Sequence, residues 1–407
     1  MSERAFRIGF LPLVDAALPI VAHEMGLAEA AGVRIELIKD MSWATVRDRL
    51  LYGHTDAAHL LAPLAIASTL GLGRPPVPIV VPFVLGLNGN AVTLRREVAA
   101  EIAADPADPA HTGQALARLI ADRKAKGLPL IRMAVVHRYS SHNYMLRYWL
   151  AASGIDPERD VEMVVVPPPF TADALKAGEI DGACVGEPWN SAAVDSGAAM
   201  IVTATSMIWR RGVEKVLAVR SEVADERADR LAALMRALYS AGTLLMDQSR
   251  RDAITAILAR PEYLDAPAER IRRALDGRLM LAADSNPVPI PDFLLMHREA
   301  ANFPWQSQAL WLYSQMVRWG DAPYQPEAEV VVRKVFRPDL YRRALGGTGA
   351  ALPGASAKME GALRSPAGVG TTQGRLILSP DHFFDGRAFD PDDLANYLRM
   401  LRSNEKS

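Results

Sequence analysis

The sequence predicts an α/β protein made of two similar lobes, and three observations support this prediction. The chain has 407 residues, which is enough for two or three domains at roughly 100–200 residues each. Hydrophobic residues make up 50% of it and charged residues 23%, the balance of an ordinary packed protein. The third observation is an internal repeat with identical spacing, which divides the chain into two related parts. Its two copies are Leu50, Gly53, Asp56, Ala58 and Pro63, and Leu175, Gly178, Asp181, Ala183 and Pro188.

The same order of elements accompanies each copy of the repeat: a strand-like run, a helix-like stretch, a second apolar run, a short amphipathic helix and a closing apolar run. In the first copy they are Arg7–Pro12, Asp15–Glu29, Val33–Ile38, Thr45–Tyr52 and Asp56–Leu61; in the second they are Ile131–Val136, His142–Ala151, Val161–Val166, Thr171–Ala177 and Asp181–Val185. Strands that alternate with helices at this spacing indicate βαβ units. We therefore expect a parallel sheet with helices on both faces in each lobe.

Cap and turn signals support the predicted helix ends. Thr45 followed by Asp48 matches a capping box, which predicts that a helix of the first lobe begins at Thr45. Gly53 and Gly178 each suit the left-handed position just past the end of a helix.

Two extended runs are predicted to cross between the lobes and to form a hinge. Asn90–Leu94 is the first crossing, and Lys215–Arg220 returns the chain to the first lobe. A helical insert, Arg95–Lys126, follows the first crossing, and apolar residues recur at helical spacing after the second. We therefore expect residues 5–90 and 207–345 in lobe one and residues 91–206 in lobe two.

The remaining residues, 346–407, are predicted to be a linker and a C-terminal extension. Gly346–Thr372 is rich in Gly, Ala and Ser and shows no periodicity. Asp390 and Pro391 suit the N-cap and the first position of a last short helix. We expect this helix to pack on one lobe and to respond to lobe closure.

Charge and cysteine content exclude several classes of function. Lys and Arg total 46 against 47 for Asp and Glu, so the chain lacks the positive field of proteins that bind nucleic acid directly or an anionic membrane. The single cysteine, Cys184, allows no internal disulfide and no multi-thiolate metal site, and it suits a reducing compartment.

Pro12, Asp15 and Pro19 interrupt the first apolar stretch before a signal peptide or membrane span is complete, which predicts a cytoplasmic start at Met1–Glu3.

Polar and aromatic residues cluster where the predicted strands end. Ligands of open α/β sheets bind beyond the carboxyl ends of the strands, where helix N-termini supply N–H donors. In this sequence that region comprises Asp40–Ala44, His137–His142 and Gly186–Asn190, with Asn90 and Lys215 near the crossings. The set contains a cation, an imidazole, amide donors and aromatic walls. It predicts an interlobe cleft that binds a small anion without a metal or a cofactor.

Five segments carry a resemblance to a known family: Leu87–Asn90, Arg147–Leu150, Val166–Pro169, Cys184–Asn190 and Arg318–Gly320. They resemble nitrate- and bicarbonate-binding proteins of the NrtA/CmpA type, and Gly-Glu-Pro-Trp-Asn at positions 186–190 is the most specific part. The resemblance extends over approximately residues 7–345. It implies a two-lobed, class II periplasmic-binding-protein-like fold whose hinge lets the cleft close over one anion.

The resemblance also implies a ligand shell. Its residues here are Trp43, Asn90, His142, Gly186, Glu187 and Lys215. Asn90 stands where the family commonly has Gln, which shortens a donor by one methylene and could alter affinity or permit nitrite. Lys215 favours nitrate over bicarbonate. Because a carboxylate repels an anion, Glu187 is expected to pair with Lys215 or His142 and to orient it, while backbone N–H groups around Gly186 contact the ligand.

Three functions are compatible with this site. The lack of an export signal and of a lipid-anchor cysteine makes the chain most like the cytoplasmic nitrate-sensor branch, NasS. That branch implies a partner, a NasT-type antiterminator with an RNA-binding ANTAR domain, which is held without nitrate and released once nitrate binds. The first alternative is the substrate-binding component of a nitrate or nitrite ABC transporter. The second is an enzyme, because some proteins of this fold class make a thiamin precursor, but their cysteine cluster and any catalytic-triad spacing are absent here.

Overall fold

The computed structural model describes the backbone of residues 4–404 and the side chains of residues 4–401. The predicted cytoplasmic start at Met1–Glu3 lies outside the described residues, as does the end of the predicted extension, residues 405–407. Among the helices described, none is both long and apolar enough to cross a membrane.

Two β-sheets lie at the centres of the two lobes. In chain order the strands are β1 (Phe6–Phe10), β2 (Ile35–Lys39), β3 (Ala57–Leu61), β4 (Ile79–Asn88), β5 (Asn90–Arg95), β6 (Ile131–Val135), β7 (Val161–Val165), β8 (Gly182–Gly186), β9 (Ala199–Ala204), β10 (Val213–Arg220), β11 (Arg278–Leu279), β12 (Val288–Pro289), β13 (Leu294–Leu295), β14 (Leu352–Pro353), β15 (Ala367–Val369), β16 (Thr371–Gln373) and β17 (Leu376–Leu378). The sheet of lobe one has the order β13-β4-β10-β3-β1-β2, and that of lobe two the order β7-β6-β8-β5-β9.

Helices connect the strands and supply most of the remaining structure. In chain order they are α1 (Ala17–Glu24), α2 (Leu27–Ala30), α3 (Trp43–Leu51), α4 (Ala62–Leu70), α5 (Arg96–Ala100), α6 (Pro109–Ala125), α7 (Ser141–Ala152), α8 (Thr171–Ala177), α9 (Trp189–Asp195), α10 (Thr205–Ile208), α11 (Ser221–Glu226), α12 (Ala228–Met246), α13 (Arg251–Leu258), α14 (Ala268–Leu275), α15 (Gln306–Arg318), α16 (Pro326–Val335), α17 (Pro338–Leu345) and α18 (Leu394–Asn404). Apolar side chains of these helices and of the sheets form the buried core, with Trp149 and Leu238 among its fully buried members.

The internal repeat makes the same hydrogen bonds in both lobes. In lobe one the carboxylate of Asp56 accepts from the backbone N–H of Arg7 at 2.8 Å, and the guanidinium of Arg7 donates to the carbonyl of Gly53 at 3.3 Å. The equivalent contacts in lobe two are Arg132 N–H to Asp181 at 2.9 Å and the Arg132 guanidinium to the Gly178 carbonyl at 2.9 Å. Both glycines are left-handed, with φ of 74° and 69°, as predicted. The repeat is therefore a recurring turn that ties the end of a helix to the start of the first strand.

The sheets are mixed, whereas the repeat alone predicts parallel sheets. β1 pairs in parallel with β2 and β3, and β6 pairs in parallel with β7 and β8. The crossing strands run the other way: β10 lies antiparallel between β3 and β4, and β5 lies antiparallel between β8 and β9. Each crossing strand enters its sheet from the other lobe, so it runs against the strands that end at the cleft.

The start of α3 differs from the prediction. The helix begins at Trp43, and the hydroxyl of Ser42 accepts a hydrogen bond from the backbone N–H of Thr45 at 3.2 Å. Ser42 is therefore the N-cap, and Thr45 lies within the first turn. The earlier start makes Trp43 the first residue of the helix.

The predicted linker and last helix also differ in detail. Gly346–Thr372 contains short strands that pair within the extension. α18 begins at Leu394, and the carboxylate of Asp393 accepts from the backbone N–H of Asn396 at 3.4 Å. The cap is therefore Asp393 and not Asp390, because the nearer carboxylate reaches the free N–H groups of the first turn.

The C-terminal extension packs against the segment between α10 and β10, which leads into the second crossing between the lobes. α18 lies on α15. Phe383 forms an isolated antiparallel bridge with Trp209, and its ring stacks on that indole with centroids 4.8 Å apart. The hydroxyl of Tyr148, on α7, donates to the carboxylate of Asp385 at 2.9 Å. The extension therefore contacts helices α7 and α15 and the segment that leads into the second crossing.

Candidate functional site

Side chains from both lobes meet in a buried cluster at the carboxyl ends of the parallel strands. The first-lobe sheet and its loops contribute Asp15 from the 3₁₀ turn after β1, Trp43 from the first residue of α3, and Lys215 from β10. The second lobe contributes Asn90, the first residue of β5, and His142, the second residue of α7. Each exposes 3% of its surface or less. The structure thus brings together four of the side chains predicted from the sequence and adds Asp15.

Lys215 is held between two carboxylates. Its Nζ lies 2.9 Å from Asp15 Oδ2 and 2.6 Å from Glu214 Oε1, and 5.3 Å from the centre of the Trp43 ring. Burial acts to lower the pKa of Lys215, but the two carboxylates outweigh it and raise the pKa above its usual value. The ammonium is therefore charged, and its position is fixed.

A buried histidine, His59, makes a hydrogen bond to Asp15. His59 Nε2 lies 2.9 Å from Asp15 Oδ1, and the His59 and Trp43 rings are 5.4 Å apart. Burial acts to raise the pKa of Asp15, but Lys215 and His59 hold it well below the usual range. Burial also lowers the pKa of His59. Asp15 is therefore ionised, and a neutral His59 donates its Nε2–H to it.

His142 brings the second lobe close to Glu214, one of the two carboxylates that contact Lys215. The hydroxyl of Ser140 caps α7 by accepting from the N–H of Asn143 at 3.1 Å, which places His142 in the first turn of the helix. His142 Nδ1 lies 3.2 Å from Glu214 Oε1, although the two are not aligned as a hydrogen bond. Burial lowers the pKa of His142 to about 4. Burial acts to raise the pKa of Glu214, but the charge and the hydrogen bond of Lys215 help to lower it overall, so Glu214 is ionised.

Asn90 reaches the cluster because its partner residue has no side chain. Asn90 pairs with Gly186 between β5 and β8. A Cβ on Gly186 would lie 3.1 Å from Asn90 Oδ1 and 3.4 Å from Leu13, so a larger residue would push the amide of Asn90 aside. The hydroxyl of Thr205 donates to the Asn90 carbonyl at 3.1 Å. Gly186 therefore acts here through its small size.

Several polar atoms of this cluster have no hydrogen-bond partner within the described residues 4–401. They are Trp43 Nε1, Asn90 Nδ2 and Oδ1, and His142 Nδ1 and Nε2. Buried polar groups nearly always have partners, so this concentration of unpaired donors around a fixed ammonium is unusual. It suits a small ligand with several hydrogen-bond acceptors. The same part of the chain contains no group of three or more His, Cys, Asp or Glu residues that could hold a metal ion.

Glu187 does not take the place predicted for it. Its Oε2 accepts from the backbone N–H of Ser191 at 3.3 Å, in the first turn of α9, and not from Lys215 or His142. Glu214 is the carboxylate that contacts both of those residues. The prediction was wrong because Glu187 lies two residues before the first residue of α9, Trp189, and serves a free N–H group in the first turn of that helix. Burial raises the pKa of Glu187 to about 7.

Replacing Glu187 with glutamine should make the stability of the protein less dependent on pH. The folded protein holds this proton up to about pH 7, whereas an ordinary glutamate releases it near pH 4.5. Between these values only the unfolded chain releases the proton, so the stability falls progressively as pH rises, and Gln removes that loss. We expect the gain in unfolding free energy of Glu187→Gln over the wild type to be about 2–3 kcal/mol larger at pH 8 than at pH 5. Urea unfolding at both pH values measures it, and an equal gain at both would contradict the account.

Sequence reasoning missed the two carboxylates of the site for different reasons. Strand alternation places Glu214 and Lys215 on opposite faces of β10, so their adjacency predicts no shared site. The pairing of β10 with β4 is irregular on both sides of Lys215, and such a bulge lets neighbouring side chains turn toward one region. Asp15 carried a usable signal, because it follows the first strand at the edge where ligands bind.

Contacts outside the cluster also join the lobes. Asp195, at the end of α9 in lobe two, lies 2.9 Å from Arg270 and 2.8 Å from Arg273, both on α14. The backbone N–H of Val14 donates to the carbonyl of Glu187 at 2.9 Å. Together with the burial of the cluster, these contacts show that the structure is the closed arrangement of the two lobes.

Comparison with known sequences finds matches along nearly the whole chain. The profile of the NMT1-like family matches residues 2–259. The chain is 32% identical over 406 residues to the nitrate/nitrite binding protein NrtA of Synechococcus elongatus, covering 97% of this chain and 85% of that protein. It is 31% identical over 404 residues to the nitrate import ATP-binding protein NrtC of Synechocystis sp., covering 97% of this chain. The chain spans only 54% of that NrtC protein, about half of its length.

A solved structure shares the fold. The crystal structure of the periplasmic nitrate-binding protein NrtA from Synechocystis PCC 6803 superposes with a TM-score of 0.84 at 26% identity, covering 98% of this chain and 99% of that one. The predicted class, an α/β fold of two lobes like the periplasmic binding proteins, is therefore confirmed. The sheets of both lobes are mixed and not purely parallel.

Proposed function

The chain belongs to the NMT1-like family, and on that premise we propose that it binds nitrate or nitrite between its two lobes. One relative, of which this chain covers 85%, is by name a nitrate/nitrite binding protein and not an enzyme. This finding confirms the prediction of a non-enzymatic protein. The observation that carries the proposal is the set of unpaired donors around Lys215. Nitrate and nitrite are small planar anions whose oxygens accept hydrogen bonds and carry one negative charge.

Each lobe supplies part of the proposed binding site. Trp43 Nε1 and the Lys215 ammonium come from lobe one, and Asn90 Nδ2 and His142 Nε2 come from the strand and helix of lobe two. An anion that accepts from both sides binds the closed arrangement better than an open one. The anion therefore shifts the population of the protein toward the closed arrangement. The size of this shift is set by the difference between its affinities for the closed and the open arrangement.

Calorimetric titration of the purified chain tests this proposal. We expect nitrate or nitrite to bind with one anion per chain and more tightly than sulfate, because sulfate would bring a second negative charge into a buried cluster that already holds two carboxylates. Titration with bicarbonate distinguishes a site of the nitrate-binding type from one of the bicarbonate-binding type. Absence of heat and of protection from unfolding with both nitrate and nitrite would contradict the proposal.

We further propose that binding serves sensing in the cytoplasm, through an antiterminator of the NasT type that is held by the ligand-free form. This proposal is supported by the resemblance of the cleft segments and by a site whose two halves come from different lobes, since a partner that prefers the open form is released by closure. Mixing the chain with the antiterminator, with and without saturating nitrate, tests it. A complex unchanged by nitrate would contradict release.

The alternative use is delivery of the anion to an import system, which the names of the relatives support. The site is the same in both cases, and the compartment differs. Cell fractionation with the native gene separates the two: a periplasmic, processed protein favours transport, and an unprocessed protein in the cytoplasm favours sensing.

A further inference from the structure

The buried cluster carries more negative than positive charge before any anion enters. Lys215 is its one cation, and Asp15 and Glu214 both contact the ammonium, at 2.9 and 2.6 Å. All three are at least 97% buried. Two carboxylates against one ammonium leave one excess negative charge in a region from which water is excluded. A monovalent anion that enters this region alone is therefore repelled as well as attracted.

His142 is the group placed to offset the added charge. Its ring is fully buried, and neither ring nitrogen has a hydrogen-bond partner among the described side chains. Nδ1 already faces Glu214 Oε1 at 3.2 Å. A protonated ring would donate from Nδ1 to Glu214 and from Nε2 to an anion in the cleft, so one added proton makes two charge-assisted contacts.

The charges around His142 come from three elements. Glu214 and Lys215 act from β10, and Asp15 acts from the turn after β1. On its own helix, the guanidinium of Arg147 donates to Asn143 and contacts Glu158. The second buried imidazole, His59 on β3, donates from Nε2 to Asp15, and its Nδ1 has no hydrogen-bond partner among the described residues.

We propose that the chain takes up one proton with each anion and that His142 holds this proton in the bound state. The proposal rests on the proposed function, because it concerns the same anion. The net charge of the cluster is then the same before and after binding. The ligand-free site has a neutral His142, since burial lowers its pKa to about 4, and the anion raises the pKa by supplying a negative neighbour.

The test is titration of the full chain with nitrate, which itself carries no proton in this pH range. The heat of binding is measured at pH 6 in two buffers of different ionisation enthalpy, and the dependence on the buffer counts the protons taken up. We expect close to one proton per anion, and we expect Kd to rise about tenfold between pH 6 and pH 7. A heat independent of buffer together with a Kd constant over this interval would overturn the proposal.

Two histidine variants assign the proton. His142→Gln keeps an N–H donor and cannot be protonated, so proton uptake should disappear and nitrate should bind more weakly at pH 6. His111→Gln, at an exposed position of α6, is the matched control and should retain full uptake. Uptake that persists in His142→Gln would overturn the assignment. The buffer experiment on the wild-type protein does not depend on any variant. If nitrate fails to bind at any pH, the result contradicts the proposed function and not only the uptake of a proton.

Discussion

Replacing Lys215 with alanine should abolish nitrate binding and lower the free energy of unfolding by about 3–5 kcal/mol. The ammonium is fully buried and contacts Asp15 and Glu214, so its removal leaves two ionised carboxylates in the interior without their cation. The anion at the same time loses the only cation of the cluster. Calorimetric titration with nitrate and urea unfolding measure the two effects.

The matched control is Lys176→Ala, which removes an exposed lysine from α8 and should change neither property. A double variant separates binding from stability. Lys215→Met combined with Asp15→Asn removes one charge of each sign, so we expect it to fold more stably than Lys215→Ala and still not to bind nitrate. Nitrate binding within threefold of the wild type in that folded double variant would show that the ammonium is not needed.

Replacing Phe383 with alanine should lower the free energy of unfolding by about 3–5 kcal/mol. The ring is 1% exposed and lies 4.8 Å from the Trp209 ring, 5.5 Å from Trp311 and 5.4 Å from Tyr148. These partners belong to the segment between α10 and β10, to α15 and to α7, so the cavity opens where the extension meets the segment that leads into the second crossing. Urea unfolding of the full chain measures the loss.

Phe170→Ala is the control for this prediction, because that ring is 52% exposed and should be worth about 0.5 kcal/mol or less. A loss at Phe383 no larger than the loss at Phe170 would show that the extension does not stabilise the segment that leads into the second crossing.

The repeated turns could be predicted because their causes are local. Gly53 and Gly178 end a helix in the left-handed region, and Asp56 and Asp181 bind the second residue of the first strand of their own lobe. The same bonds are made twice with the same spacing, so the repeat is visible without knowledge of the rest of the fold. The parallel order of neighbouring strands follows from the same units.

The charged part of the site could not be predicted in this way. The carboxylate of Glu214 faces Lys215 because β10 is irregular where it pairs with β4, and no pattern of apolar residues signals this. Glu187 carries the more conspicuous motif, yet it serves the start of α9. The packing of Phe383 on Trp209 joins distant parts of the chain, so the sequence predicts a linker and a short helix here but not the contact between the extension and the segment before β10.

The proposed function places a small anion between the lobes, among Trp43, Asn90, His142 and Lys215. A crystal structure of the full chain grown with nitrate will show whether it lies there. We expect a planar ligand within hydrogen-bond distance of Trp43 Nε1, Asn90 Nδ2, His142 Nε2 and Lys215 Nζ, with Lys215 still in contact with Asp15 and Glu214. A closed cluster that holds no nitrate, or nitrate bound elsewhere in the chain, would refute the proposed site.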